Sequence, residues 1–214
     1  MIIGILNQKG GAGKTTLSIN LAVALKRADQ RVLLLDADPQ GSALDWSVAR
    51  QQALPDDTIE CLHIPESDLH KRIEKYRSDY DYIIIDGAPR VTDLARSAII
   101  ASDIIVIPVQ PSAFDIWATE EIVDLIAEAN QLKNIQSCFV LNRVTKRAAI
   151  SKKVADALSS HQLPLLNSQL SQRVRFAESA LDGLSVFDYP DKRNFAADEI
   201  TAIKNELLEL GASL

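Results

Sequence analysis

Ile2-Ile3-Gly4-Ile5-Leu6-Asn7-Gln8-Lys9-Gly10-Gly11-Ala12-Gly13-Lys14-Thr15-Thr16 reads as an apolar strand, a glycine-rich turn and the start of a helix. Four of the chain's eight glycines fall within its first thirteen residues, three of them in this one loop. Glycines let successive backbone N–H groups turn inward and approach phosphate oxygens closely, and the helix start adds a partial positive charge. Gly10, Gly11, Ala12 and Gly13 therefore form a candidate phosphate cradle, continued by Thr16 in the first helical turn. Lys14 would reach the β- and γ-phosphates of a nucleotide, and the Thr15 hydroxyl would face a Mg²⁺ ion, which keeps mostly water and phosphate oxygen around it. A glycine turn at an ordinary helix start is the plainer alternative.

Outward from this segment, short aliphatic runs alternate with helix-like stretches. The runs are 2–6, 32–35, 59–64, 82–85, 104–109 and 138–141, several continuous, as in strands buried on both faces. Helical periodicity is expected over 14–28, 41–51, 68–77, 93–100, 113–130 and 148–160, with two more helices near 173–181 and 196–210. This rhythm predicts an α/β fold with a mostly parallel twisted sheet and helices on both faces, and the phosphate-loop motif that opens the chain makes the expected fold a P-loop NTPase architecture. Strand order cannot be read from it. No repeat or linker interrupts the pattern, so a single domain spanning 1–214 is expected.

Composition narrows the function classes. Hydrophobic residues make up 47% and charged residues 24%, values that argue against disorder. Cys61 and Cys138 are the only cysteines and show no Cys-x-x-Cys spacing, which disfavours zinc or iron–sulfur sites and fits a reducing, cytoplasmic setting. The longest apolar runs fall far short of the roughly 18 residues of a membrane span. A net charge of -6 speaks against a protein that coats nucleic acid with its whole surface, leaving room for a local basic patch.

The loop departs from G-x-x-x-x-G-K-[ST], because Gln8 stands where the first glycine belongs and Lys9 adds a second lysine. With this deviant Walker A loop the sequence resembles the ParA/MinD family of P-loop ATPases. The likeness extends to Asp36-Ala37-Asp38-Pro39-Gln40-Gly41 after the second strand and to Ile83-Ile84-Ile85-Asp86-Gly87-Ala88-Pro89 at the end of another. Ile107-Pro108-Val109-Gln110-Pro111-Ser112 and Leu141-Asn142-Arg143 add to it. It covers residues 1–145 firmly and the remainder loosely, and is nearest to small plasmid-partition ATPases without an N-terminal DNA-binding domain. With the loop starting at residue 9, no helix-turn-helix domain is expected ahead of it, nor sequence-specific repression.

The resemblance implies ATP and Mg²⁺ as cofactors and weak basal hydrolysis of ATP to ADP and phosphate. Lys9 would stabilise charge on a partner's phosphates across an ATP-dependent homodimer, a role in trans like an arginine finger. Lys14 and Asp38 complete the catalytic set, with Asp38 orienting the attacking water. Asp86 would bind Mg²⁺ through water and Asp36 would support the same shell, although Asp-x-Asp-Pro also suits capping of the following helix. Asn142 is expected to recognise the adenine edge, with a turn-forming role as the alternative.

From Arg143 to Arg175 the chain carries seven bases against one acid, Asp156, a balance of +6 in a chain of -6. Lys146, Arg147, Lys152, Lys153, Arg173 and Arg175 are the candidate contacts to DNA backbone without base reading; a solvated helix face is the alternative. The leading expectation is a nucleoid-associated positioning ATPase released from DNA by a ParB-like or other small adaptor. A MinD-like membrane switch would need a basic amphipathic C-terminal helix, whereas 198–214 is acidic with Lys204 its only base, so no stable membrane anchor is expected. A metabolic P-loop kinase or synthetase has no evident use for Lys9.

Overall fold

The structure, a computed structural model, describes residues 1–90, 92–145, 148–190 and 193–212, with backbone alone over 148–152. Six strands, β1 (Ile2–Ile5), β2 (Val32–Asp36), β3 (Glu60–His63), β4 (Tyr82–Asp86), β5 (Ile104–Val109) and β6 (Gln136–Leu141), form one parallel sheet in the order β3-β2-β4-β1-β5-β6. The four inner strands are buried along their length or nearly so, which is why their sequences are runs of Ile, Leu and Val without alternation. β3 lies at an edge and carries exposed Glu60 and His63, which weaken its apolar signal.

Successive strand residues serve opposite layers. Ile2 and Leu6 join a core with α4 (Asp93–Ala101), α6 (Glu120–Asn130) and α7 (Ala148–Leu158). Ile3 and Ile5 join another with α1 (Lys14–Lys26), α2 (Ser42–Ala53) and α9 (Phe195–Gly211). The expected helix over 113–130 is two helices, α5 (Ala113–Trp117) and α6. Gln8 explains the break: its Nε2 donates to the Ala118 carbonyl at 2.6 Å, removing an acceptor from a continuous helix. The stretch expected as 68–77 shortens to α3 (Leu69–Arg72) and a 3₁₀ turn over Glu74–Tyr76, and the helices expected over 148–160 and 173–181 are α7 and α8 (Val174–Leu181).

The chain builds β1 centrally, steps out to β2 and β3, returns through β4 and crosses to β5 and β6, so a topological switch point lies beside β1. The register aligns Ile5 with Asp86 and Asp36 with Asp86, bringing the exits of β1, β2 and β4 to one edge. Gly87 is required there because a Cβ would sit 2.9 Å from the Ile5 carbonyl oxygen.

Far from that edge, Arg50 of α2 is wholly buried between Asp57 and Asp188, each at 2.8 Å. It ties α2 to residues 184–188, where the Trp46 indole also donates to the Leu184 carbonyl. Burial works against ionisation of Asp188, but Arg50, the Ser185 hydroxyl and the Ser185 amide hold it below the usual carboxylate range. Arg50→Ala should cost about 3–5 kcal/mol in denaturant unfolding, because it strands a buried carboxylate. The Asp188 share of stability is present at neutral pH and should be lost as pH falls through its depressed value, which acid titration of wild type and variant would reveal.

Candidate functional site

The loop between β1 and α1 is shaped by Gly11 and Gly13, both at positive φ (76° and 94°), where side chains are disfavoured. At Gly13 a Cβ would also collide with the Asn142 amide. Among the described residues, no acceptor takes the backbone amides of residues 10–16, which leaves a row of donors at a helix start. Lys14 curls back so that Nζ donates to the Lys9 carbonyl at 3.3 Å. Burial lowers its pKa, and the carboxylates of Asp86 and Asp38 oppose that shift. The donor row and a buried ammonium fit a polyphosphate.

Asp86 has no exposed surface. Thr15 Oγ1 donates to its Oδ2 at 2.7 Å and Ser18 Oγ to its Oδ1 at 3.1 Å. Burial pushes the carboxyl up to about 7, against the two hydroxyls and Lys14, while Asp36 adds to the rise. Thr15 and Asp86 are hard oxygen donors beside the loop, a set that fits Mg²⁺. Sequence reasoning missed Ser18, whose only signal was a small polar residue one turn beyond Thr15.

Asp36, expected to support the metal shell, is engaged by backbone amides. Its Oδ2 accepts from the Ala43 and Leu44 amides, both at 2.9 Å, and its Oδ1 from the Asp38 amide at 3.0 Å. It is buried and caps α2, so the capping alternative describes what its carboxylate does here. Asp38 is half-exposed, and its Oδ1 accepts from the Gln40 amide at 3.0 Å in a local turn. His63 Nε2 donates to the Asp38 carbonyl at 3.0 Å and steadies that turn from β3.

Lys9 leaves the loop on the opposite side. Its Nζ meets Asp115 Oδ2 at 2.6 Å, and Asp115 is 1% exposed and also bonded to the Ser112 hydroxyl. Asp115 Oδ1 is buried without a partner. Gln110 Nε2 donates to the Gly11 carbonyl at 2.8 Å and Asn7 Nδ2 to the Pro108 carbonyl at 2.8 Å, so the end of β5 and the segment after it brace this side of the loop. None of Asp115, Ser112, Gln110 or Asn7 carried a role in the sequence.

Asn142 ends β6 with its amide committed: Nδ2 donates to the Ala12 carbonyl at 2.7 Å and Oδ1 accepts from the Arg143 amide at 2.8 Å. Asn142, the residue expected to recognise the adenine edge, here holds the phosphate loop, because β6 ends against Gly13 with only a short polar side chain's width between them. It still lines a cleft of about 1010 Å³ with Gly13, Thr16, Arg143, Arg173 and Phe176, large enough for a nucleoside.

The candidate DNA contacts are divided. Lys146 and Arg147 lie outside the described residues, as does the Lys152 side chain. Lys153 is exposed on α7. Arg173 is held by Glu199 at 2.6 Å, and Arg175 meets Glu178 at 3.4 Å and stacks on Tyr189, its guanidinium carbon 4.0 Å from the ring centre. The +6 balance along the chain therefore overstates the charge on the surface, since Glu178 and Glu199 fold back onto the two arginines.

Residues 3–186 match the sequence profile of the CobQ/CobB/MinD/ParA nucleotide binding domain. The maintenance of carboxysome distribution protein A of Halothiobacillus neapolitanus is 30% identical, over 96% of this chain and 95% of its own. The ATP complex of a variant McdA from Cyanothece superposes with a TM-score of 0.78 at 17% identity, over 97% of this chain and 96% of its own. Pyrococcus horikoshii MinD with Mg-ADP gives a TM-score of 0.76 at 22% identity, over 98% and 96%. The chain therefore belongs to the CobQ/CobB/MinD/ParA family of P-loop ATPases, with the deviant Walker A loop that its own Lys9 to Thr15 display.

Proposed function

We propose that the chain works as one ATPase unit that dimerises on ATP, binds DNA without sequence preference and is released when an adaptor stimulates hydrolysis, so distributing a cargo. The observation that carries this reading is the pair of lysines in one loop facing opposite ways: Lys14 turned into the cradle, Lys9 turned out onto Asp115. A lysine turned out of its own cradle is placed to reach a phosphate on another subunit once it leaves Asp115. The likeness to a carboxysome-distribution protein along nearly the whole chain favours a protein assembly as cargo over a plasmid.

In this reading Lys14 and the loop amides bind the phosphates, and Thr15 and Asp86 hold Mg²⁺, which when bound offsets charge on the phosphate oxygens. Ser18 fixes the Asp86 carboxylate and Asp36 fixes the turn that carries Asp38. Asp38 accepts from the attacking water, and its free oxygen is the one the Gln40 amide does not occupy. A membrane switch is disfavoured by α9, whose apolar residues Ala196, Ile200, Ile203 and Leu207 are buried against the core that includes α1.

Mg-ATP, but not ADP, should shift the protein from monomer to dimer in light scattering, and Lys14→Ala should weaken nucleotide binding at least about tenfold, the lower range for a charge-assisted hydrogen bond. One unchanged species in ATP, ADP and no nucleotide would refute the dimer.

Asp38→Ala should keep ATP binding and dimerisation while slowing single-turnover hydrolysis by roughly a hundredfold or more, as loss of a positioned base does. A wild-type rate would reduce Asp38 to a turn former.

DNA affinity should appear with ATP and fall steeply with salt. Lys153→Ala should weaken binding to every duplex about equally and flatten the salt slope by about one unit, with ATP binding intact. Arg173→Ala/Arg175→Ala should do less than two free arginines would, because their carboxylate partners must first be displaced. An unchanged slope in all three positions would move the DNA site elsewhere.

A further inference from the structure

The chain has two tryptophans with opposite fates: Trp46 is 4% exposed in the core, whereas Trp117 on α5 is 61% exposed. Beside it Phe114 is 71% exposed, and the two rings meet edge to face with centroids 5.5 Å apart. In a chain with only 5% aromatic residues, two large rings in contact on the surface form a patch that water solvates poorly. Resting on the dimer reading above, we propose that the Phe114–Trp117 pair is the apolar anchor by which a second copy of this chain docks beside the phosphate loop.

Three observations fix the occupant. First, α5 is tied to the loop: Asp115, between the two aromatics in sequence, holds Lys9 at 2.6 Å, and the Ala118 carbonyl holds Gln8 at 2.6 Å. Lys9 and Gln8 therefore lie against this helix, and the aromatic pair sits beside the lysine assigned to the partner's phosphates. Second, the segment 110–121 contains no Lys or Arg and carries the exposed acids Glu120 and Glu121, which repel a nucleic-acid backbone. Third, the neighbourhood holds both signs of charge, since Lys9 and the exposed Arg90, whose amide donates to the Gln8 carbonyl at 3.0 Å, lie on the loop side. A patch with an aromatic centre and acids and bases at its rim is self-complementary under a twofold axis, which uses the same surface twice. A Trp that becomes desolvated at such a centre carries a large share of the binding energy.

The test follows Trp117 and the oligomeric state together in the full chain. Acrylamide quenching of wild-type tryptophan emission should fall when Mg-ATP drives dimerisation and should stay unchanged with Mg-ADP. Trp117→Ala should remove the quenchable component in every state. Phe114→Ala/Trp117→Ala should weaken the ATP dimer by about thirtyfold or more, the hot-spot range, while monomer affinity for ADP and the thermal midpoint stay at wild-type values. A wild-type dimer with Trp117 still open to quencher, or a double variant that dimerises as tightly as wild type, would overturn the proposal and leave the dimer reading standing. A wild-type protein that remains monomeric in Mg-ATP would overturn both. Protection of Trp117 only on addition of duplex DNA would assign the surface to nucleic acid and also overturn it.

Discussion

A carboxylate with no exposed surface must have its lone pairs met from within the protein, and Asp86 meets this demand with two hydroxyls of one helix, Thr15 and Ser18. The arrangement depends on β1 and β4 being neighbours in register, because only then does the helix that follows β1 start above the last residue of β4. The same pairing constrains Gly87, which must pass close to the Ile5 carbonyl. A change in strand order would leave Asp86 with an unmet charge and separate the loop from that carboxylate.

The loop is held from both flanks. On one side Asn142 grips the Ala12 carbonyl from the end of β6; on the other Gln110, Asp115 and Ala118 hold Gly11, Lys9 and Gln8. Glycines provide the conformational freedom that the turn needs, and these side-chain contacts remove it again. The loop's shape is therefore set by strands that lie on the β5–β6 side of the sheet, whereas its chemistry comes from the β2–β4 side.

Periodicity made the fold legible because a parallel sheet buried on both faces demands uninterrupted aliphatic runs, and Ile104 to Val109 can hardly be anything else. The exposed ends of β3 blurred the edge strand, and one hydrogen bond from Gln8, 110 residues away in sequence, broke a helix that its own periodicity would have continued. At the site, the glycines, Lys14, Thr15 and Asp86 were legible because backbone geometry and charge restrict which residues can serve there. Asp115 was not, since a single acid in Ala-Phe-Asp-Ile-Trp gives no hint that it faces Lys9 across the fold. Asn142 and the two arginines were read by neighbourhood in sequence, which gave no sign of their contacts with Ala12, Glu178 and Glu199, all distant or on another turn.

The turn that carries Asp38 hangs between two fixed points. Asp36 is locked beneath the first amides of α2, and the far end of that helix is bolted by Arg50 to the segment around Asp188, with Gly183 packed against the Ala49 and Arg50 backbone. The few residues from 37 to 41 thus form a short arch with both feet set in rigid ground. Most of the disorder that a free loop would surrender on meeting a ligand has been given up during folding, at the expense of burying an arginine. Affinity at this end of the site is in that sense prepaid by a contact on the opposite side of the helix.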